Sequence, residues 1–325
     1  MGIDSVYPRE HPREERLLRL LEGCREAEVL TRRPKWGDEA GVIMRRGADI
    51  GREFFCYPCL DRGMRQAREL IETGEKKGSA FIAGGVVIAR EMEKTRGRFD
   101  RPWYAPSGGA WLTLVLNPAF LPENRQFYSL ILGVACCETI RHYGVEANIK
   151  WVNDVHFHGQ KLAGILIQGY TSRTLGEEYL LLGIGVNVNN TSFPEYLRTM
   201  AISLREILGK ELSLEDFIAL LLTKIGWHIG LMAHFEQRYL EAFYEPVKPA
   251  NPLIEQWKLY SDTPGRRVLY GTNVYDEPLF AATAVDIDHT GAIILQREEG
   301  ITMREVSGEI IYLESGNDSF WMNTN

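Results

Sequence analysis

The feature that most constrains this chain is a tight reversal between residues 155 and 167. Val155 and Phe157 alternate with His156 and His158, Gly159-Gln160 turns the chain, and Leu162 to Ile167 follow. Period-two alternation running into a glycine turn predicts a β-hairpin, and so two adjacent antiparallel strands. Other apolar or β-branched runs, Val86-Val87-Ile88, Trp111 to Leu116, residues 147 to 151 and Tyr179 to Val188, read as further strands of a sheet. Helices alternate with them. Apolar positions 64, 67, 70 and 71 have helical spacing that ends at Gly74, and residues 126 to 143 form an apolar helix closed by Gly144. Two more helices are predicted at about 199–209 and 214–240, with Ser213 and Asp216 spaced as in a capping box for the second.

The two ends differ in texture from this middle. Residues 14 to 31 carry Leu17, Leu18, Leu20 and Leu21 among charges, a short amphipathic helix with Gly23 as a breaker, and the stretch that follows reads as loop. Residues 264 to 313 are short alternating runs separated by Gly, Asp and Asn, which predicts a small all-β barrel.

Several function classes fall away on composition. A formal charge of −7 argues against a surface built to hold nucleic acid, and residues 1 to 50 show no second, recognition helix of a DNA-binding motif. Neither DNA nor a membrane is expected as a partner, because the apolar runs read here fall short of the roughly 20 residues a span needs. The charged, proline-containing start MGIDSVYPREHPREERLL has no apolar core of a secretory signal, so the cytoplasm is the expected compartment. Five cysteines, an odd number with two adjacent, do not form a disulfide framework. Cys56-Tyr-Pro-Cys59 has the spacing of a redox pair or half a zinc site, but no second pair completes four ligands, so no protein-built metal site is expected.

Three stretches carry chemistry. Lys94, Arg96, Arg98 and Arg101 crowd around Gly97 in a loop between two strands, ending at Trp103. Arginine binds phosphate in bidentate fashion and glycine lets backbone amides approach, so this loop suits an anion; a solvated basic loop is the plainer alternative. Next, Lys150-Trp-Val-Asn-Asp154 precedes Lys161-Leu-Ala-Gly-Ile-Leu-Ile-Gln168, which places Lys150 and Lys161 on opposite arms of the hairpin, both within reach of one pocket. A lysine beside a carboxylate and a leaving phosphate neutralises developing charge, while Asp154 is open to pairing with a lysine or to helping hold magnesium, and Trp151 reads as core. Finally, Gly183-Ile-Gly-Val-Asn-Val188 is a strand with glycines where a flat ring can approach the backbone, and Asn187 has the groups to read an adenine edge; two glycines also mark bulges.

Taken in order, Arg-Gly-Arg-x-x-Arg-x-Trp, Lys-Trp-x-Asn-Asp with Lys-Leu-Ala-Gly-Ile-Leu, and Gly-Ile-Gly-x-Asn resemble the biotin protein ligases over residues 51 to 313. The resemblance takes in Ala201-Ile-Ser-Leu-Arg205, Gly291-Ala and Ser307-Gly308. It implies an α+β fold, a mixed sheet flanked by helices as in class II synthetase-like catalytic domains, with a small C-terminal SH3-like β-barrel. The implied division is an N-terminal extension over 1–50, an adenylating domain over 51–250, and the barrel with its tail over 251–325. The implied activity is ATP-dependent condensation of biotin to an acyl adenylate, with Mg2+, followed by transfer to a lysine of a carrier protein. By position, Arg96, Gly97, Arg98 and Lys161 would bind acid and phosphate, with Lys161 and Arg98 catalytic. Arg101, Trp103, Asn153, Asp154 and Asn187 would bind the nucleotide, and the arginine loop would order as ligand binds. A homodimer through exposed strand edges is a further expectation.

The chain departs from the family's pattern at four places. Arg62-Gly63-Met64 stands where the family has Ser-Thr-Asn, Met92 replaces a glutamine, Thr95 the first loop glycine and Val152 a proline. Two readings follow: neighbouring side chains such as Asp61, Arg62 or Gln66 take over the lost polar contacts, or the pocket accepts a different small carboxylic acid. A non-catalytic ligand-binding relative is the third option, and the retained Arg96, Arg98, Arg101, Lys161 and Asn187 count against it.

Overall fold

A computed structural model describes residues 9–79, 81, 83–242, 250–298 and 300–313. Seven strands form the main sheet: β1 (Phe54–Leu60), β2 (Val86–Met92), β3 (Ala110–Leu116), β4 (Asn148–Lys150), β5 (Asp154–Phe157), β6 (Gln160–Thr171) and β7 (Glu178–Val186). Their spatial order is β1-β2-β3-β7-β6-β5-β4. Only β1 and β2 run parallel, and the helix α3 (Gly63–Lys76) is the crossover such a pair requires; the other neighbours are antiparallel. The sheet is therefore mixed. The hairpin is β5 and β6, with His158 and Gly159 at positive φ in its turn, as a two-residue hairpin turn demands.

Helices cover both faces. On one, α3 packs over β2, β3 and β7, burying Ala67 and Ile71 against Tyr57, Val87, Val115 and Leu181. On the other, α4 (Phe127–His142) and the 28-residue α6 (Leu214–Glu241) form the main layer, joined by α5 (Leu204–Leu208) and α7 (Pro252–Tyr260). By length and composition α6 could cross a membrane, but 78% of its apolar window is buried within the protein, so it is a core helix. The shorter apolar runs read from the sequence did not show this, because the helix mixes its leucines with glycine and small polar residues. A second sheet, β11-β10-β9-β8-β12, is built from β8 (Arg267–Gly271), β9 (Phe280–Ile287), β10 (Ile293–Gln296), β11 (Thr302–Glu305) and β12 (Glu309–Tyr312). Its antiparallel pairing agrees with the expected small β-domain.

The N-terminal region is more ordered than its sequence suggested. Gly23 does not break the first helix: α1 runs from His11 to Trp36, and α2 (Glu39–Arg46) occupies the stretch read as loop. An interior glycine costs on the order of 1 kcal/mol, and burial of Leu17 and Leu21 outweighs it. Similarly, α3 continues through Gly74, and strand β1 went unread because Pro58 interrupts it. Proline is tolerated there because β1 is an edge strand. Cys56 and Cys59 lie three apart on this strand and so point to opposite faces, which removes the redox-pair reading. The full capping box sits not at Ser213 but at Ser203, where Glu206 completes it.

The start of the chain is tied to this edge. The backbone N–H of Glu10 donates to Cys56 O at 2.8 Å, Cys56 N–H donates to Glu14 Oε1 at 3.0 Å, and Arg9 Nη2 donates to Phe54 O at 2.8 Å.

Behind the sheet, α1, α4 and α6 share a buried ionic cluster. Arg32 donates to Glu28 at 2.8 Å and to Glu138, Lys224 donates to Glu28 at 2.7 Å, and His228 Nε2 donates to Glu138 at 3.2 Å. Burial alone would raise the Glu138 carboxyl, but His228, Arg32 and Lys224 outweigh it and hold the group well below its ordinary value. A carboxylate depressed in the folded state contributes stability above its unfolded value and loses it as pH falls. Glu138→Ala, which leaves buried cations unpaired, is expected to cost roughly 3–5 kcal/mol in urea unfolding at neutral pH. The stability gap between the unsubstituted chain and Glu138→Gln should shrink as pH is lowered below the ordinary value of 4.5. A gap that widened on acidification would contradict this account.

Candidate active site

On the α3 side of the sheet, the register sets Gly164 opposite Gly185 and Leu166 opposite Gly183. A β-carbon on Gly164 would stand 2.7 Å from Cζ3 of Trp103, and one on Gly185 would stand 3.0 Å from the same indole. The flat ring that these strand glycines admit is thus a tryptophan of the chain itself. Gly183 plays the same part for Met64, whose Cε would lie 2.7 Å from an added β-carbon. Behind Trp103, Trp111 packs edge-on at 6.4 Å between ring centres.

Trp103 ends the arginine loop, which is folded as a hairpin. Met92 N–H donates to Ala105 O at 2.9 Å, Trp103 N–H to Thr95 O at 3.2 Å, and Gly97 N–H to Arg101 O at 2.8 Å; the Thr95 hydroxyl also donates to Trp103 O. Thr95, in place of a glycine, therefore clamps the base of the loop. At the tip, Phe99 and Asp100 both have positive φ, 53° and 55°, a strained pairing for residues with side chains. The tip rests on the small sheet: Arg98 donates to Gly308 O at 2.9 Å, and Arg101 pairs with Glu309 and reaches Asn273. Tyr275 and Phe99 lie under the Arg101 guanidinium at 4.8 and 5.2 Å. Arg96 is exposed and donates to Asp100 O within the loop.

Facing the hairpin, Asp154 gathers both lysines. Its Oδ1 accepts from Lys161 Nζ at 2.8 Å, and its Oδ2 lies 3.6 Å from Lys150 Nζ. Burial would raise the Asp154 carboxyl, but Lys161 and Lys150 hold it far below the usual range; burial would lower Lys150, but Asp154 leaves it raised. Asp154 thus pairs with both lysines. No cluster of three or more His, Cys, Asp or Glu suited to a metal ion occurs among the described residues. The Lys161 backbone is pinned as well, its N–H donating to Met200 O and its carbonyl accepting from Ile202 N–H and Asn187 Nδ2. Asn187, 2% exposed, also accepts from Asn190 through Oδ1, so it braces the strand ends as well as lining the cavity. Asn153 sits in the turn between β4 and β5, against Gly133 of α4, next to a cis peptide between Trp151 and Val152. Trp151 is core, with its Nε1 donating to Gly291 O.

The arginine hairpin, the lysine pair with Asp154, the strand glycines and Asn153 and Asn187 line one cavity of about 950 Å3. Every predicted site residue, Arg96, Gly97, Arg98, Arg101, Trp103, Asn153, Asp154, Lys161 and Asn187, borders it. So do Met64, Met92 and Thr113 at an apolar end, and Glu309 and Tyr275 from the small sheet. Gly63 N–H points to Met92 Sδ at 3.3 Å, so the positions that depart from the family do meet in the cavity wall. Sequence reasoning missed Glu309 and Tyr275; the Ser307-Gly308 turn directly before Glu309 was the available signal.

A mixed sheet with an arginine hairpin, a lysine pair and a small second sheet is the arrangement with which the known proteins compare. Residues 73–189 match the Biotin/lipoate A/B protein ligase family. The chain is 29% identical over 257 residues to the bifunctional ligase/repressor BirA of Bacillus subtilis, covering 78% of this chain and 72% of that one. It is 34% identical over 155 residues to the biotin–[acetyl-CoA-carboxylase] ligase of Paracoccus denitrificans, 44% of this chain and 60% of that one. Its fold matches the biotin protein ligase of Aquifex aeolicus, solved in complex with biotin and ATP, with a TM-score of 0.63 at 23% identity over 81% of this chain and 99% of the other. The chain is thus similar in sequence to ligases of this family over most of its length.

The seating of Trp103 gives a direct test. Gly164→Ala is expected to unseat the indole, visible as a red shift of tryptophan emission with circular dichroism unchanged. An unshifted spectrum would mean that the glycine floor does not hold the loop.

Proposed function

We propose that this chain uses ATP to activate biotin as biotinyl-5'-adenylate and passes the biotinyl group to a lysine of a carrier protein. The observation that carries this reading is the opposition, in one cavity, of the arginine hairpin to a lysine pair oriented by a single carboxylate. The names of the relatives, biotin ligases of Bacillus and Paracoccus, and the biotin and ATP held by the Aquifex structure support the choice of substrates.

The chemistry follows from the placement. The acid's carboxylate attacks the α-phosphorus of ATP, the α–β phosphoanhydride bond breaks and pyrophosphate leaves. Arg96, Arg98 and Arg101, with the backbone at Gly97, neutralise the phosphates. Lys161 sits where negative charge develops on the α-phosphate and, in the second step, on the acyl oxygen as the carrier's amine attacks and AMP departs. Trp103 and the hairpin close over this region and keep water from the adenylate. Asn153 and Asn187 flank the base. Magnesium would be carried chiefly on the nucleotide's phosphates, where it would neutralise their charge.

A cytoplasmic location belongs to the same reading, and the five free cysteines suit a reducing compartment. So does a homodimer: beyond Ala163, β6 pairs only with β7 among the described residues, leaving a strand edge that a second copy could extend.

The test is biotin-dependent exchange of labelled pyrophosphate into ATP. The unsubstituted chain should exchange, and Lys161→Ala should lower kcat about 100-fold or more with the fold intact. Exchange supported only by another acid would refute the biotin assignment, and full activity of Lys161→Ala would refute the role given to that lysine.

A further inference from the structure

The acid end of the cavity lacks the hydroxyl and amide groups that the family resemblance leads one to expect at positions 62–64 and 92; Thr113 brings one hydroxyl close to Gly63, and the neighbours suggested by sequence do not replace the rest. Asp61 is tied to Lys94 at 3.1 Å, Arg62 is exposed and donates to Lys94 O, and Gln66 is buried against the Tyr57 hydroxyl. A different residue reaches this wall. Arg68 stands one helical turn after Met64 on α3, so both side chains lie on the same helix face, and both line the cavity.

Arg68 is held from two sides. Its Nη2 donates to Gln168 Oε1 at 2.7 Å, and its guanidinium lies 5.3 Å from the centre of the Tyr170 ring. Its Nε–H, shut away from solvent, has no hydrogen-bond partner. The placement along β6 is also informative. Lys161 Cε and Trp103 crowd Gly164, whereas Arg68 meets Gln168, four residues further along the same strand, about 13 Å by strand rise. Between these ends lie Leu166 and Gly183, with Met64 seated directly on Gly183 and its flank turned to the cavity.

We infer that Arg68, braced by Gln168, is the specificity-determining residue for the far end of the acid, donating to the ureido carbonyl oxygen of biotin. The inference rests on the proposed activation of biotin. The slot between the two ends takes the aliphatic chain and thioether ring against Met64 and Leu166, and the guanidinium supplies the polar contact that Met92 and Gly63 do not. An acid carrying a cation at that end is excluded by charge.

The experiment compares biotin with its guanidino analogue, in which the ureido oxygen is replaced by =NH2+, in the pyrophosphate exchange assay. Arg68→Met should raise the KM for biotin at least tenfold with kcat within about threefold, a tenfold change being the loss of one good hydrogen bond. Arg68→Glu should invert the preference, using the guanidino analogue better than biotin. Gln168→Leu, which removes the brace but not the cation, should raise the KM for biotin by a smaller factor and serves if the Arg68 variants misfold by circular dichroism. A KM for biotin within twofold of the unsubstituted value in Arg68→Met, or in Gln168→Leu where that variant stands in, overturns the inference, as does an unaltered preference in Arg68→Glu. Silence of the unsubstituted chain with biotin is a different result: it refutes the proposed function itself.

Discussion

A tryptophan can lie flat on two β-strands only where both strands lack β-carbons beneath it, and the site of this protein depends on that condition. Gly164 and Gly185, paired across β6 and β7, leave a depression that Trp103 fills. Because Trp103 terminates the arginine hairpin, its seat fixes where Arg96, Arg98 and Arg101 stand relative to Lys161. The lysine is fixed independently, by Asp154 on the neighbouring strand and by backbone bonds to Met200 and Ile202. Two separately anchored sets of cations face each other, and the space between them is the cavity.

The small sheet takes part in this arrangement. Arg98 and Arg101 are paired with Gly308, Glu309 and Asn273, so cations gathered for phosphate have protein partners in its absence. Such pairing removes the repulsion that an isolated arginine cluster would suffer, and it makes the loop's position a property of both sheets. The strained backbone at Phe99 and Asp100 lies at this contact, where the rings of Phe99 and Tyr275 support Arg101.

Much of this was legible in the sequence for physical reasons. Period-two alternation and turn chemistry reveal the hairpin of β5 and β6, and the apolar run from 126 to 143 can only be a buried helix. The arginine loop and the two lysines were legible because charges of one sign crowd together only for a purpose. What escaped was tertiary in origin. Gly23 and Gly74 lie within helices because packing outweighs the local cost, and β1 survives Pro58 because it has no neighbour on one side. Glu309 and Arg68 are single charged residues among many, and only the fold shows that one meets Arg101 and the other lines the same cavity beside Gln168. The strand glycines were correctly read as admitting a ring, but the ring belongs to the protein.

The attachment of Arg9, Glu10 and Glu14 to β1 has a consequence beyond the site. A seven-stranded sheet has two outer edges, each able to template another chain. Glu10, Glu14 and Arg9 consume backbone groups of β1 at Cys56 and Phe54, and Ser261 lies alongside β4 at Ile149. With these groups taken by the chain's own segments, the outer strands template another chain less readily than the open margin of β6 beyond Ala163, and the helix that begins at His11 shields an edge as well as filling the core.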